Sequence, residues 1–214
     1  QHVEISNPSS SKASSLLQKR DLVILLSFSL AGLAALVYQV AWTRILSLLL
    51  GSSVYAFSLI LTVFILGLAL GTLTVARALG RIKNLIKGYG LTQIIIGFSS
   101  LSVIPLFGGI PFANRWVYEN LGQQFELVQG SNFMIILGLL FIPTFFMGAQ
   151  FPIVIKMLAT KLETVGQSVG RAYAFNTFGT IVGSFLAGFV LIPLLGLQTT
   201  ILSAVFVNVL LGIS

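Results

Sequence analysis

Residues Leu22–Trp42 read LVILLSFSLAGLAALVYQVAW, an unbroken run without a charged side chain. A helix rises 1.5 Å per residue, so about 20 such residues cross a bilayer core of about 30 Å. Four further runs of that length follow: Ser53–Ala76, Gly88–Gly109, Asn132–Ile155 and Ala172–Pro193. A sixth, Thr199–Ser214, is apolar but reaches only about 24 Å as a helix. The runs are too long and too continuous for barrel strands, which alternate apolar and polar positions over about 10 residues. The pattern predicts an all-α integral membrane protein, a six-helix transmembrane bundle over 19–214.

Composition leads to the same class. The chain has 214 residues, 56% of them apolar and 8% charged, against about 25% charged in a soluble domain. Its mean hydropathy is +1.01. So few charges cannot cover a water-facing surface, which excludes a soluble globular enzyme. A disordered chain would be poor in apolar residues. Cysteine is absent, which removes thiolate chemistry and cysteine-bound metals.

The net charge of +7 comes from 12 Lys and Arg against 5 Asp and Glu. With six crossings, one side carries Lys12, Lys19, Arg20, Arg77, Arg81, Lys83, Lys87, Lys156, Lys161 and Arg171. The other carries Arg44 and Arg115. Basic loops stay in the cytoplasm, so both termini are expected there. The charge is then topogenic, and no base-stacking motif accompanies it, so nucleic acid is not an expected partner. The bilayer is. Residues 1–18 are polar and Ser-rich, expected as a flexible cytoplasmic tail. The long outer connection 110–131 holds Trp116, Tyr118 and Phe125 and is expected at the headgroup level. Residue 1 is Gln and the last run ends without polar flanks, so the parent polypeptide is expected to continue into a cytoplasmic domain.

Small residues give the clearest packing signal. Gly67 and Gly71, then Gly179 and Gly183, form GxxxG pairs, and Ser184 to Gly188 extends the second stripe. Such pairs let helix backbones approach closely, within this bundle, against partner membrane subunits or against a second copy. Tyr-Ala-Phe opens both the second and the fifth run, at Tyr55 and Tyr173. Halves of three spans each would be inverted relative to one another, as in each half of major-facilitator proteins.

Polar residues inside the runs need partners, because an unpaired amide in hydrocarbon costs several kcal/mol. Gln39, Gln93, Gln150, Asn176 and Asn208 are the amides concerned. Tyr38, Gln39, Arg44, Tyr55, Gln150, Tyr173 and Asn176 together are the candidates for a polar cavity or an interface. No carboxylate sits near the middle of a run, which argues against a proton-coupled carrier. His2 is the single histidine and lies in the tail. No catalytic constellation, metal site or cofactor site is expected within the chain. Pro143 and Pro152 are expected as kinks in the fourth run.

Two patterned regions carry a family likeness. One is AGLAALVYQVAWTR from Ala31 to Arg44, continuing through GSSVYAF at Gly51–Phe57 to GLALG at Gly67–Gly71. The other is GRAYAFNTFGTIVG at Gly170–Gly183 with AGFVLIPLLGL at Ala187–Leu197. They resemble the membrane part of prokaryotic spermidine synthase-like proteins, in which several spans precede a cytoplasmic aminopropyltransferase-like domain. The resemblance implies a prokaryotic inner-membrane location. It also implies that catalysis belongs to a methyltransferase-type α/β domain, whose glycine-rich nucleoside site and acidic residues have no counterpart here. The expected role is to anchor that domain and to handle a polyamine-like cation. The alternatives are an accessory subunit of a membrane complex and a small passive transporter.

Overall fold

A computed structural model describes residues 8–51, 54–120, 124–159 and 165–213, with side chains from residue 18 onward. Among the described residues every regular element is helical: α1 Pro8–Leu50, α2 Val54–Ala78, α3 Leu85–Leu106, α4 Ile110–Asn120, α5 Phe125–Leu158, α6 Val165–Leu186 and α7 Ile192–Ile213. The stretch expected as a tail is thus helical from Pro8, while 1–7 lie outside the described residues. The connection 110–131 contains α4.

Five helical stretches are long and apolar enough to cross a membrane, rather than the six expected. The expected fifth and sixth runs share one stretch, Val165–Ile213, in which a π-helical turn at Ala187–Leu191 joins α6 to α7. Its backbone leaves the helical region once, at Gly196, with φ 79° and ψ 169°. That conformation favours glycine because a Cβ would be strained there.

The helices pair by register. Asp21 reaches Arg171, Ser29 lies against Gly179 and Leu33 against Gly183. Partners advance together, so α1 and α6 run parallel. Gly67 lies against Thr144, Gly71 against Phe145, and Leu79 meets Lys156, so α2 and α5 are parallel too. Gly90 meets Gly212 while Gly97 meets Val205, so α3 and α7 are antiparallel. The expected inverted repeat is not established by these pairings alone.

The core follows from these seams. Tyr38, Trp42, Ile60, Val63, Ile96, Ile136, Leu140 and Ile201 form its main cluster. A second cluster gathers Leu25, Phe28, Tyr89, Ile153 and Met157. The outside is also apolar: Ile65, Phe98, Ile181, Phe189, Leu194 and Phe206 are all exposed. A water-soluble bundle would carry charges at such positions.

Prolines leave gaps that neighbours fill. Pro152 lacks an N–H, which frees the Gly148 carbonyl one turn earlier. Thr72 Oγ1 on α2 donates to that carbonyl at 2.9 Å. At one end of the bundle, Lys156 Nζ donates to the Leu79 carbonyl at 3.0 Å and Arg20 Nη2 to the Met157 carbonyl at 3.1 Å. The Met157 carbonyl stands in the last turn of α5, where a helix leaves its carbonyls without intrahelical partners; the Leu79 carbonyl also accepts from the Ile82 amide at 3.4 Å. The same end holds Asp21 and Arg171 and is called the basic end below.

Candidate functional site

The glycines come first because they set how closely the helices approach. A Cβ at Gly71 would overlap the Phe145 carbonyl, and one at Gly183 the Leu33 carbonyl. Gly67 would meet the Thr144 hydroxyl, and Gly179 the Ser29 carbonyl. Gly188 differs: a Cβ there meets nothing within 4 Å. The fully buried small residue after Gly183 is Ala187, four positions on, and Gly188 is one step past that line. Gly148 and Gly32 make equally close approaches, to Leu68 and Asn176; neither belongs to the two GxxxG pairs.

Behind these seams lies a buried amide chain. Gln93 on α3, Gln150 on α5 and Asn208 on α7 are all buried. Gln93 Nε2 donates to Gln150 Oε1 at 2.7 Å, and Asn208 Nδ2 donates to Gln93 Oε1. Gln93 therefore ties three helices. The Asn208 Oδ1 has no hydrogen-bond partner among the described residues, and the hydroxyl of Tyr89, one turn before Gln93, has only Gln93 beside it.

Replacing Gln93 with Leu strands both neighbouring amides. The expected cost is about 1–3 kcal/mol per stranded group in a dry interior, moderated toward the roughly 0.6 kcal/mol typical of interhelical bonds in membranes. Thermal unfolding in detergent of Gln93→Leu, Asn208→Leu and the double variant checks this. The double variant should cost less than the sum, because the two side chains share one bond.

A second polar group lies in the main core. The rings of Tyr38 and Trp42, one turn apart on α1, stack with centroids 5.1 Å apart and planes 16° from parallel. Both residues are fully buried. The Trp42 Nε1 has no hydrogen-bond partner among the described residues, and the Tyr38 and Ser100 hydroxyls have only each other. Stacked faces beside these groups make a polar spot within the core.

The remaining candidates are dispersed. Arg44, Tyr55 and Tyr173 are exposed; Tyr55 meets Phe125 edge-on at 5.2 Å. Gln39 and Asn176 are half-buried, Asn176 filling the space over Gly32. Only Tyr38 and Gln150 among the seven are buried. Tyr89 and Ser100 were not legible as partners of this interior, although the four-residue spacing of Tyr89 and Gln93 on one helix face was available as a signal. Among the described residues no group of His, Cys, Asp and Glu is placed to hold a metal ion.

No family model matches the chain, and no solved structure matches it. Among curated proteins it is similar to Polyamine aminopropyltransferase 2 of Streptomyces coelicolor, 25% identical over 194 residues. That alignment covers 89% of this chain and 33% of the relative, so the chain spans about a third of the length of the protein it matches.

Proposed function

We propose that this chain is a multi-pass membrane module that holds an aminopropyltransferase-like protein at the cytoplasmic face of a prokaryotic inner membrane. One observation carries the reading. The similarity to an aminopropyltransferase takes in nearly the whole chain but only a third of that relative, and the matched portion here consists of membrane-length apolar helices. The aminopropyl-transfer chemistry then belongs to the part of such a protein outside this match.

Six crossings make sense of the last helical stretch. A straight helix over Val165–Ile213 would be about 70 Å long, more than twice a bilayer core. It begins at the basic end, where Arg171 meets Asp21. It finishes there too, where Gly212 lines a cleft with Arg20 and Lys87. A chain that leaves and returns to one end has crossed twice, and Gly196 is the position that permits the reversal. The pairing supports an inverted repeat of α1–α3 and α5–α7: α1 packs on α6 as α5 packs on α2, and the third members α3 and α7 pair with each other. Glycine meets carbonyl in both seams, Gly71 on Phe145 and Gly183 on Leu33.

Anchoring is favoured over handling a polyamine cation. Asp21 faces Arg171 at 3.8 Å, and Glu119 binds Arg115 at 2.7 Å. The interior offers amides and hydroxyls rather than carboxylates, and the cleft at the basic end carries cations that repel a polyamine.

The absence of cysteine makes topology directly testable. Gly108→Cys and Gln198→Cys are expected to react with a membrane-impermeant maleimide on intact cells, while Gly80→Cys and Ile213→Cys react only after permeabilisation. Labelling of positions 198 and 213 from the same side would remove the sixth crossing. In cells making the natural polypeptide, carbonate-washed membranes should retain the aminopropyl-transfer activity; its recovery in the wash with the polypeptide intact would refute anchoring.

A further inference from the structure

Between residues 20–27 of α1, the start of α3 and the end of α7 lies a cleft of about 800 Å³. Its walls are apolar, with Ile24 from α1, Leu91 and Ile94 from α3 and Ile213 from α7. Two cations, Arg20 and Lys87, line it, and no carboxylate does. Arg20 is held in place by the Met157 carbonyl. Lys87 stands in the first turn of α3, a 22-residue helix capped by Asn84, whose side chain accepts from the Lys87 amide at 3.1 Å. The free amides and dipole of that turn add to the positive field. Tyr89 also lines the cleft and is 7% exposed.

We propose that this cleft is a binding site for an anionic phospholipid, its phosphate on Arg20 and Lys87 and an acyl chain along α1, α3 and α7. The charges decide the headgroup: two cations, with no carboxylate among the described residues that line the cleft, select an anion over a zwitterion. The walls decide the rest. Exposed Val23, Ile86, Leu91 and Ile213 offer an anion without a tail nothing to bury. A volume of about 800 Å³ falls within the range of small-molecule sites, about 300–1,000 Å³, and suits part of a lipid rather than a protein segment. The cleft opens at the level where a membrane places its phosphates, so this inference rests on the membrane reading above.

The test uses the full chain purified in detergent, with phosphatidylglycerol, phosphatidylcholine or inorganic phosphate as probes. Lipid retained per chain is read by native mass spectrometry and melting temperature by fluorescence. The wild type should retain one phosphatidylglycerol and little phosphatidylcholine, and melt higher with the former. Arg20→Gln with Lys87→Gln should lower retention about tenfold or more, at about 1 kcal/mol per basic residue. Arg77→Gln with Arg81→Gln removes equal charge outside the cleft and should leave retention unchanged. Val23→Trp fills the apolar wall without touching a charge and should also lower retention; it carries the test if the Arg20 and Lys87 double variant fails to fold.

Equal losses in the two charge pairs would overturn the site, leaving only general surface attraction. So would equal retention of phosphatidylcholine. Stabilisation by inorganic phosphate as strong as by the lipid would make it a site for free phosphate. A chain extracted from membranes by carbonate refutes the membrane reading, whereas one that stays but retains no lipid refutes the cleft alone.

Discussion

Gly71→Leu is expected to cost about 3 kcal/mol or more and to lower the melting temperature by about 10 °C, with loss of a monodisperse species in detergent. The reason is what lies opposite. A Cβ at Gly71 would overlap the Phe145 carbonyl and stand 3.1 Å from the Ala149 nitrogen. Both are backbone atoms of a packed helix, so no rotamer change relieves the clash, and the seam between α2 and α5 must open. Thr72, on that seam, would then lose its bond to the Gly148 carbonyl, leaving the gap made by Pro152 unfilled. Gly183→Leu should act alike through the Leu33 carbonyl. Gly188→Leu is the control: with open space at that position, the shift should stay within about 0.5 kcal/mol. Equal melting temperatures for the three variants would show that the seams do not hold the bundle.

Trp42→Ala should be at least as damaging, at about 3–5 kcal/mol, because it empties a large volume from a fully buried position. The loss includes the stack on Tyr38, which contributes about 0.5–1.5 kcal/mol beyond area alone. Trp42→Phe keeps most of the volume and should recover more than half of the difference. Tyr38→Phe separates ring from hydroxyl. Its oxygen has only the Ser100 hydroxyl beside it, so removal should change stability by no more than about 1 kcal/mol. Chemical denaturation in detergent would read all three. A cost above about 2 kcal/mol for Tyr38→Phe would mean that the hydroxyl has a further partner, such as a bound water, and that this spot is hydrated.

Helices and their apolar character were legible because chain-local rules write them: run length for each span and hydropathy for its surroundings. What escaped was long-range pairing. Pro152 is visible as a missing donor, but Thr72, which makes good the loss, lies far away in sequence on another helix. Gln93, Gln150 and Asn208 each announce a need for a partner, and nothing local says that they satisfy one another. The pair Ser184 and Gly188 has the right spacing of four but stands one position off the buried line, which runs from Gly179 and Gly183 to Ala187. The expected count of six met a stretch without a loop, since Gly196 breaks the helix with one residue instead of a polar linker. The cleft at the basic end was hidden because its walls come from four helices, α1, α3, α5 and α7, that no stretch of the sequence brings together.

The parallel seam of α1 and α6 bears on how such a chain is made. Neighbouring antiparallel helices can zip together as they emerge, but Ser29 and Leu33 must wait for Gly179 and Gly183. At 5–20 residues per second, the intervening stretch of about 150 residues takes roughly 10–30 seconds to synthesise. Throughout that interval the first helix has the groove that α6 will fill vacant. A ribosome stalled between α5 and α6 should therefore hold a nascent chain whose α1 is open to capture by an insertion chaperone.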